Sequence, residues 1–140
     1  MSLRSSISPL LALALLLPAR EALATPASNE LHRLLSGYSY QYSYGTGVSS
    51  SRPRITLFVH YCHDGRYFSA GQSCRPNLYA SGYQCTSLQD QGQWQAAADR
   101  VDWRSSSGNQ GSLALIRQPN GSLADNNGNP LVRLGPASCP

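Results

Sequence analysis

The sequence predicts an all-β fold: a small single-domain antiparallel up-and-down β-barrel of about eight strands with a short N-terminal helix. Three observations predict it. Tyr38-Ser-Tyr-Gln-Tyr-Ser-Tyr44 alternates without a break, the period of a strand whose successive side chains face opposite sides. Ile55 to Ser69 consists of two β-branched and aromatic runs joined through Asp64-Gly65, a hairpin signal. Further short runs follow with turn residues between them and no helical pattern, the spacing of a sandwich or barrel. Successive hairpins favour the barrel, because closure removes the edges that a small sheet exposes.

Residues 1–24 read as a secretory signal. Arg4 supplies a positive start, Leu10 to Leu17 an apolar run, and Ala22-Leu23-Ala24 an A-x-A cleavage site before Thr25. The apolar run is too short to span a bilayer. The expectation is a secreted or periplasmic product with no membrane insertion after signal cleavage, and residues 25–140 form the barrel domain.

Residues 25–36 carry the only helix signal. Ser28 or Asn29 can cap it, Leu31, Leu34 and Leu35 share one face, and Ser36-Gly37 stops it. A helix this short does not persist alone in water, so it must pack on something, and the end of a barrel would serve. Tyr38 to Tyr44 is the first strand, with all four tyrosines on one side. Gly45 to Ser51 reads as loop. Arg52 to Cys62 and Arg66 to Ala70 form the hairpin, with Asp64-Gly65 as a type I′ turn needing φ > 0 at both residues. Gly71 to Pro76 reads as a loop containing Cys74, and Leu78 to Thr86 as a weaker strand interrupted at Gly82. Gly92 to Ala98 is a strand presenting Trp94, and Arg100 to Arg104 one that puts Val101 and Trp103 together. Ser112 to Arg117, a turn at Asn120-Gly121, then Ser122 to Asp125 and Leu131 to Leu134 complete the β set.

Four cysteines lie beyond the signal: Cys62, Cys74, Cys85 and Cys139. An even count in an exported chain favours two disulfides, for which three pairings exist. Cys74–Cys85 would close a short loop, and Cys62–Cys139 would tie the tail to the hairpin; these are the favoured pairs. There is no C-x-x-C pair and no zinc-like spacing.

Loss of Arg4, Arg20 and Glu21 with the signal leaves nine arginines against six acids, a net charge of +3, with no lysine anywhere. The arginines are scattered through the chain, which gives no support to nucleic-acid binding.

After the helix, Leu35-Ser36-Gly37-Tyr38 looks like the opening of lipocalin-like barrels. Cys62-His-Asp-Gly-Arg-Tyr67, a spacer and Gly92-Gln-Trp94 resemble a Cys-x-Asp-Gly-Arg-aromatic hairpin and a Gly-x-Trp strand of small secreted bacterial proteins. The resemblance to these lipocalin-like (calycin-type) barrels covers most of the exported chain. It implies a fold and no particular ligand. Ser36-Gly37-Tyr38-Ser39-Tyr40 also fits Ser-Gly-x-x-Tyr, similar to the loop by which a family of periplasmic lysozyme inhibitors enters the enzyme's cleft. That role requires Ser36 and Tyr40 to be exposed.

The densest cluster of reactive side chains is His60-Tyr-Cys-His63-Asp64. A metal site there would need His60, His63 and Asp64 to converge, whereas Cys62 is better explained by a disulfide. No Gly-x-Ser-x-Gly elbow exists; Gly71-Gln-Ser73-Cys74 only superficially resembles one. Paired carboxylates would have to come from Glu30, Asp64, Asp90, Asp99, Asp102 and Asp125; Asp99 and Asp102 sit at a turn and on a strand face opposite Trp103, with no sign of burial to raise a pKa. No metal, cofactor or enzymatic activity is predicted.

The better functional candidates are aromatic. Tyr38, Tyr40, Tyr42 and Tyr44, with Trp94 and Trp103, could wall a cavity for an unknown small amphipathic ligand, offering apolar faces and hydroxyl handles. The same rings could instead fill the interior, leaving a protein-interaction or inhibitor module; a hydrolase is the third reading. A carrier requires a cavity of roughly 300 Å³ or more. An interaction module requires a filled barrel with a coherent exposed patch.

Overall fold

The computed structural model describes residues 26–45 and 53–140. The signal read at residues 1–24 and most of the loop read at Gly45 to Ser51 lie outside them. Among the described residues one helix, α1 (Pro26–Leu35), precedes eight strands: β1 (Tyr38–Tyr44), β2 (Arg54–Tyr61), β3 (Arg66–Pro76), β4 (Tyr83–Ala97), β5 (Arg100–Ser105), β6 (Gln110–Arg117), β7 (Leu123–Asp125) and β8 (Pro130–Pro136). Each strand pairs antiparallel with the next, and β8 returns to β1, so the sheet closes into an up-and-down barrel. This is the fold class the period-two runs predict.

Alternation along the closed sheet sorts the side chains. Tyr40, Tyr42 and Tyr44 stand opposite Val59, Leu57 and Ile55 of β2. Those residues in turn face Ser69, Gly71 and Ser73 of β3, so a bulky wall meets a small one. At one end the buried Leu31 and Leu35 of α1 join Tyr40, Tyr61 and Trp94 in a single core. Leu35 is fully buried. The helix gains its stability from this packing, as its length demands. It begins at Pro26, so Ser28 and Asn29 sit inside its first turn and neither is the cap; proline suits that first position, having no N–H to leave unsatisfied. At the other end of α1, Gly37 (φ +82°) donates its N–H to the Tyr61 carbonyl, and Arg133 donates to the Leu34 carbonyl at 2.9 Å. A cation at a helix C-terminus is favourably placed.

Three local readings need correction. Asp64 does not have positive φ; only Gly65 does (+84°). Cys62 donates its N–H to Arg66 O, and Gly65 donates to Cys62 O. The turn is therefore a three-residue loop with glycine in the left-handed position, the type I turn plus G1 bulge, and not type I′. The same pair of bonds recurs at residues 105–109, 118–122 and 125–129, with Gly108, Gly121 and Gly128 in the equivalent place.

Gly71 to Pro76 is not a loop: β3 continues through it to Pro76, paired with β4 as far as Pro76↔Tyr83. The separate strands read at Leu78 to Thr86 and Gly92 to Ala98 are one strand, β4, which begins only at Tyr83. Up to residue 93 it pairs with β3, and from Gly92 it pairs with β5. The change of partner needs glycine: a Cβ on Gly92 would lie 1.9 Å from the Arg104 carbonyl oxygen, far inside van der Waals contact.

Both favoured disulfides are present. Cys62–Cys139 spans 77 residues and ties the C-terminal tail to the first hairpin, and Cys74–Cys85 joins directly paired positions of β3 and β4. Among the described residues, no helix is long and apolar enough to cross a membrane.

Candidate functional site

The barrel is not filled. A cavity of about 480 Å³ occupies its interior. Three rings of the predicted ladder, Tyr40, Tyr42 and Tyr44, form one wall, and Leu57 and Val59 continue it. Tyr61 and Tyr67 were not singled out in the sequence, yet they line the cavity from β2 and β3. The three-residue turn, in place of the two-residue one expected at Asp64-Gly65, pairs Tyr61 directly with Tyr67, and Tyr38 pairs with Tyr61. The two tryptophans are direct cross-strand partners, Trp94↔Trp103, and both contribute to the lining. The Trp103 ring lies against Gly111, where a Cβ would approach it to 2.5 Å.

Tyr38 is the exception to the ladder. It is not part of this wall; its ring centroid lies 4.0 Å from the Arg133 guanidinium carbon, a cation–π arrangement at the helix end of the barrel. The β1–β8 register shifts between Ser39 and Tyr40, leaving Leu134 of β8 as the extra residue.

The closed end is built from aromatic contacts. Tyr61 meets Tyr40 edge-on at 6.1 Å and Trp94 edge-on at 5.1 Å, and His32 of α1 stacks on Trp94 at 5.2 Å. Trp94 donates its indole N–H to the Cys62 carbonyl at 3.2 Å, and Tyr40 donates to the Leu34 carbonyl at 2.5 Å. Polar tips are thus satisfied while ring faces pack, the arrangement buried Tyr and Trp require.

Two carboxylates face inward. Asp90 of β4 lines the cavity and accepts the Tyr67 hydroxyl at 2.6 Å and the Ser105 hydroxyl at 2.5 Å. Asp125, at the end of β7, is buried and accepts the Tyr42 hydroxyl at 2.5 Å. It also takes the backbone N–H groups of Asn127 and Asn129 and the Asn129 side-chain amide. Burial alone would raise both pKa values; the donated hydrogen bonds outweigh it and hold both below the usual carboxylate value. Burial, and next the carboxylate each one faces, pushes the Tyr42 and Tyr67 phenols up. Burial pushes Tyr61 and Tyr44 up as well. At neutral pH the interior therefore holds neutral phenols as donors and ionised carboxylates as acceptors.

The reactive cluster of the first hairpin is dispersed. His60 Nδ1 accepts the Ser138 N–H at 3.0 Å, His63 Nδ1 lies 3.0 Å from the Ser36 hydroxyl, and both Asp64 oxygens take N–H groups of Arg66. Among the described residues no group of three His, Cys, Asp or Glu side chains is placed to hold a metal ion. The Ser36–His63 contact sits against Gly37 at the joint between α1 and β1, where Ser36 is 8 % and Tyr40 3 % exposed. The Ser-Gly-x-x-Tyr segment is therefore structural and is not presented as an inhibitory loop.

A wider depression of about 810 Å³ lies on the outer face of β4–β6. Within it Arg100 pairs with Asp102 at 2.9 Å and Asp102 accepts the Ser112 hydroxyl at 2.6 Å, while Asp64 pairs with Arg66 and Arg104 donates to Gln110. The interior, open to one side and mostly apolar with a few convergent polar groups, has the character of a binding site. A scan against protein-family models finds no match, and neither does a search of the curated proteins.

Proposed function

We propose that this chain is an exported, non-enzymatic binding protein that takes up a small amphipathic molecule inside its barrel. The single observation behind this reading is the interior cavity of about 480 Å³ walled by Tyr40, Tyr42, Tyr44, Trp94 and Trp103. An eight-stranded barrel either fills its interior with side chains or keeps room for one small ligand, and here Ser69 and Gly71 stand where larger residues would close the space. A volume of this size suits a ligand of roughly 15–25 heavy atoms. The interaction-module reading rests on a filled barrel, which this chain lacks. What favours it is the outer end of the β3–β4 ribbon, where Leu78, Tyr79 and Tyr83 are exposed beyond the Cys74–Cys85 link.

Native mass spectrometry of the protein purified from its own host tests the carrier reading. The expected result is a small-molecule adduct that is retained by the native protein and lost by Leu57→Trp, which fills the cavity. A bare mass, together with no binding of aromatic or aliphatic probes in solution, would overturn it.

A further inference from the structure

The charges inside the barrel are unlike those outside it. Among the described residues the outward acids have arginine neighbours: Asp64 pairs with Arg66 at 2.6 Å, Asp102 with Arg100 at 2.9 Å, and Glu30 with Arg117. Asp99 acts electrostatically on Arg100. The inward acids do not. Asp90 and Asp125 are held by hydroxyl, amide and backbone donors, and no described arginine forms a salt bridge with either. Arg133, which shares the barrel end occupied by α1, is committed to Leu34, Tyr40 and Tyr38.

The two inward carboxylates differ in what they have left to offer. Asp125 takes four hydrogen bonds, which matches the roughly four acceptor sites of a carboxylate. It is saturated, and its role is to hold the β7–β8 turn. Asp90 takes two hydroxyl groups and a contribution from the Gln91 backbone N–H, so acceptor capacity remains on a group that lines the cavity. Asp90 is half-buried and its charge is held by these donors, and no described arginine is salt-bridged to it, so the carboxylate is open to a cation from outside the chain.

We propose that the ligand is an organic ammonium ion with an apolar body, seated with its charge at Asp90 and its body against the tyrosine and tryptophan faces. Aromatic faces attract cations through their quadrupole, and the attraction grows when water is excluded. The carboxylate adds a charge-assisted hydrogen bond. The same carboxylate disfavours fatty-acid-like anions, so one group both selects and rejects. This inference rests on the carrier reading above and narrows it.

The test uses three probes with one body: 4-phenylbutylammonium, 4-phenylbutanol and 4-phenylbutanoate, each titrated into the native protein by calorimetry and by tryptophan fluorescence. The expected order is ammonium over alcohol by about tenfold or more, with the carboxylate weakest. Asp90→Asn is expected to abolish the preference for the ammonium over the alcohol. Ammonium binding no tighter than alcohol in the unaltered protein overturns the cation assignment and leaves the carrier reading standing. Binding of none of the three removes both. Because the charge series is read on the unaltered chain, it decides even if Asp90→Asn does not fold. Where the variant folds, an undiminished ammonium preference in it would show that Asp90 is not the seat of the charge.

Discussion

Tyr67 and Asp90, on the adjacent strands β3 and β4, are joined by a hydroxyl-to-carboxylate hydrogen bond of 2.6 Å inside the barrel. The bond explains why a charged group is tolerated there and why the phenol keeps its proton. Each partner stabilises the protonation state the other needs.

Removing the phenolic hydroxyl should therefore cost more than a neutral hydrogen bond. Tyr67→Phe leaves the ring in place and strips one donor from an ionised, partly buried acceptor. The expected loss is about 1–3 kcal/mol, measured by urea unfolding. The Asp90 pKa, followed by NMR, should rise towards the ordinary value. An unchanged midpoint together with an unchanged Asp90 titration would contradict the assignment.

Stability should fall at both ends of the pH range. Asp90 and Asp125 have folded-state pKa values below those of the unfolded chain. Their contribution is complete well above about pH 4 and is lost as pH falls through the depressed values. Tyr42, Tyr61 and Tyr67 are raised. Their contribution is complete below about pH 10 and is lost as pH rises beyond it towards their folded values. Melting temperatures taken from pH 2 to 11 should form a plateau with two falling limbs. Tyr42→Phe should soften the alkaline limb relative to the native protein.

The two disulfides should differ in weight. Cys62 and Cys139 are separated by 77 positions and Cys74 and Cys85 by only 11. Chain-entropy arguments give about 4.5 and about 3 kcal/mol respectively. Paired Cys→Ala variants compared by denaturant unfolding should place the long-range link first. Equal losses would mean that the barrel already holds its tail through other contacts.

Close packing at two sites makes opposite substitutions informative. Leu35→Ala empties a fully buried position between α1 and the barrel and should cost about 2–5 kcal/mol. Gly92→Ala instead inserts an atom 1.9 Å from a backbone oxygen, and neither strand can move away without breaking its ladder. It should cost at least about 1–3 kcal/mol. Gly121→Ala, where nothing lies within 4 Å of the new atom and only the positive φ is strained, should cost about 1–2 kcal/mol. Thermal melts of the three variants check the order.

The chain's local chemistry was enough to announce the barrel class, the tyrosine strand and its inward face, and an even set of cysteines fit for two disulfides. Tyrosine at every second place from Tyr38 to Tyr44 needs no neighbour to declare which side it presents, since the pleat alone enforces it. Glycine ahead of the returns at Gly65, Gly108, Gly121 and Gly128 is legible for the same local reason. Longer-range choices were not. Whether Gly71 ends a strand or lets two backbones approach depends on Thr56, fifteen positions earlier in the chain, whose carbonyl oxygen would sit 2.0 Å from a Cβ there. Whether β4 is one strand or two depends on a change of partner at Gly92. The open interior depends on Ser69 and Gly71 lying across from Val59 and Leu57, and the unpaired charge of Asp90 on which side of the closed wall each arginine falls. Sequence period decides which way a side chain points; only closure of the sheet decides what it meets there, because the opposing wall comes from distant parts of the chain.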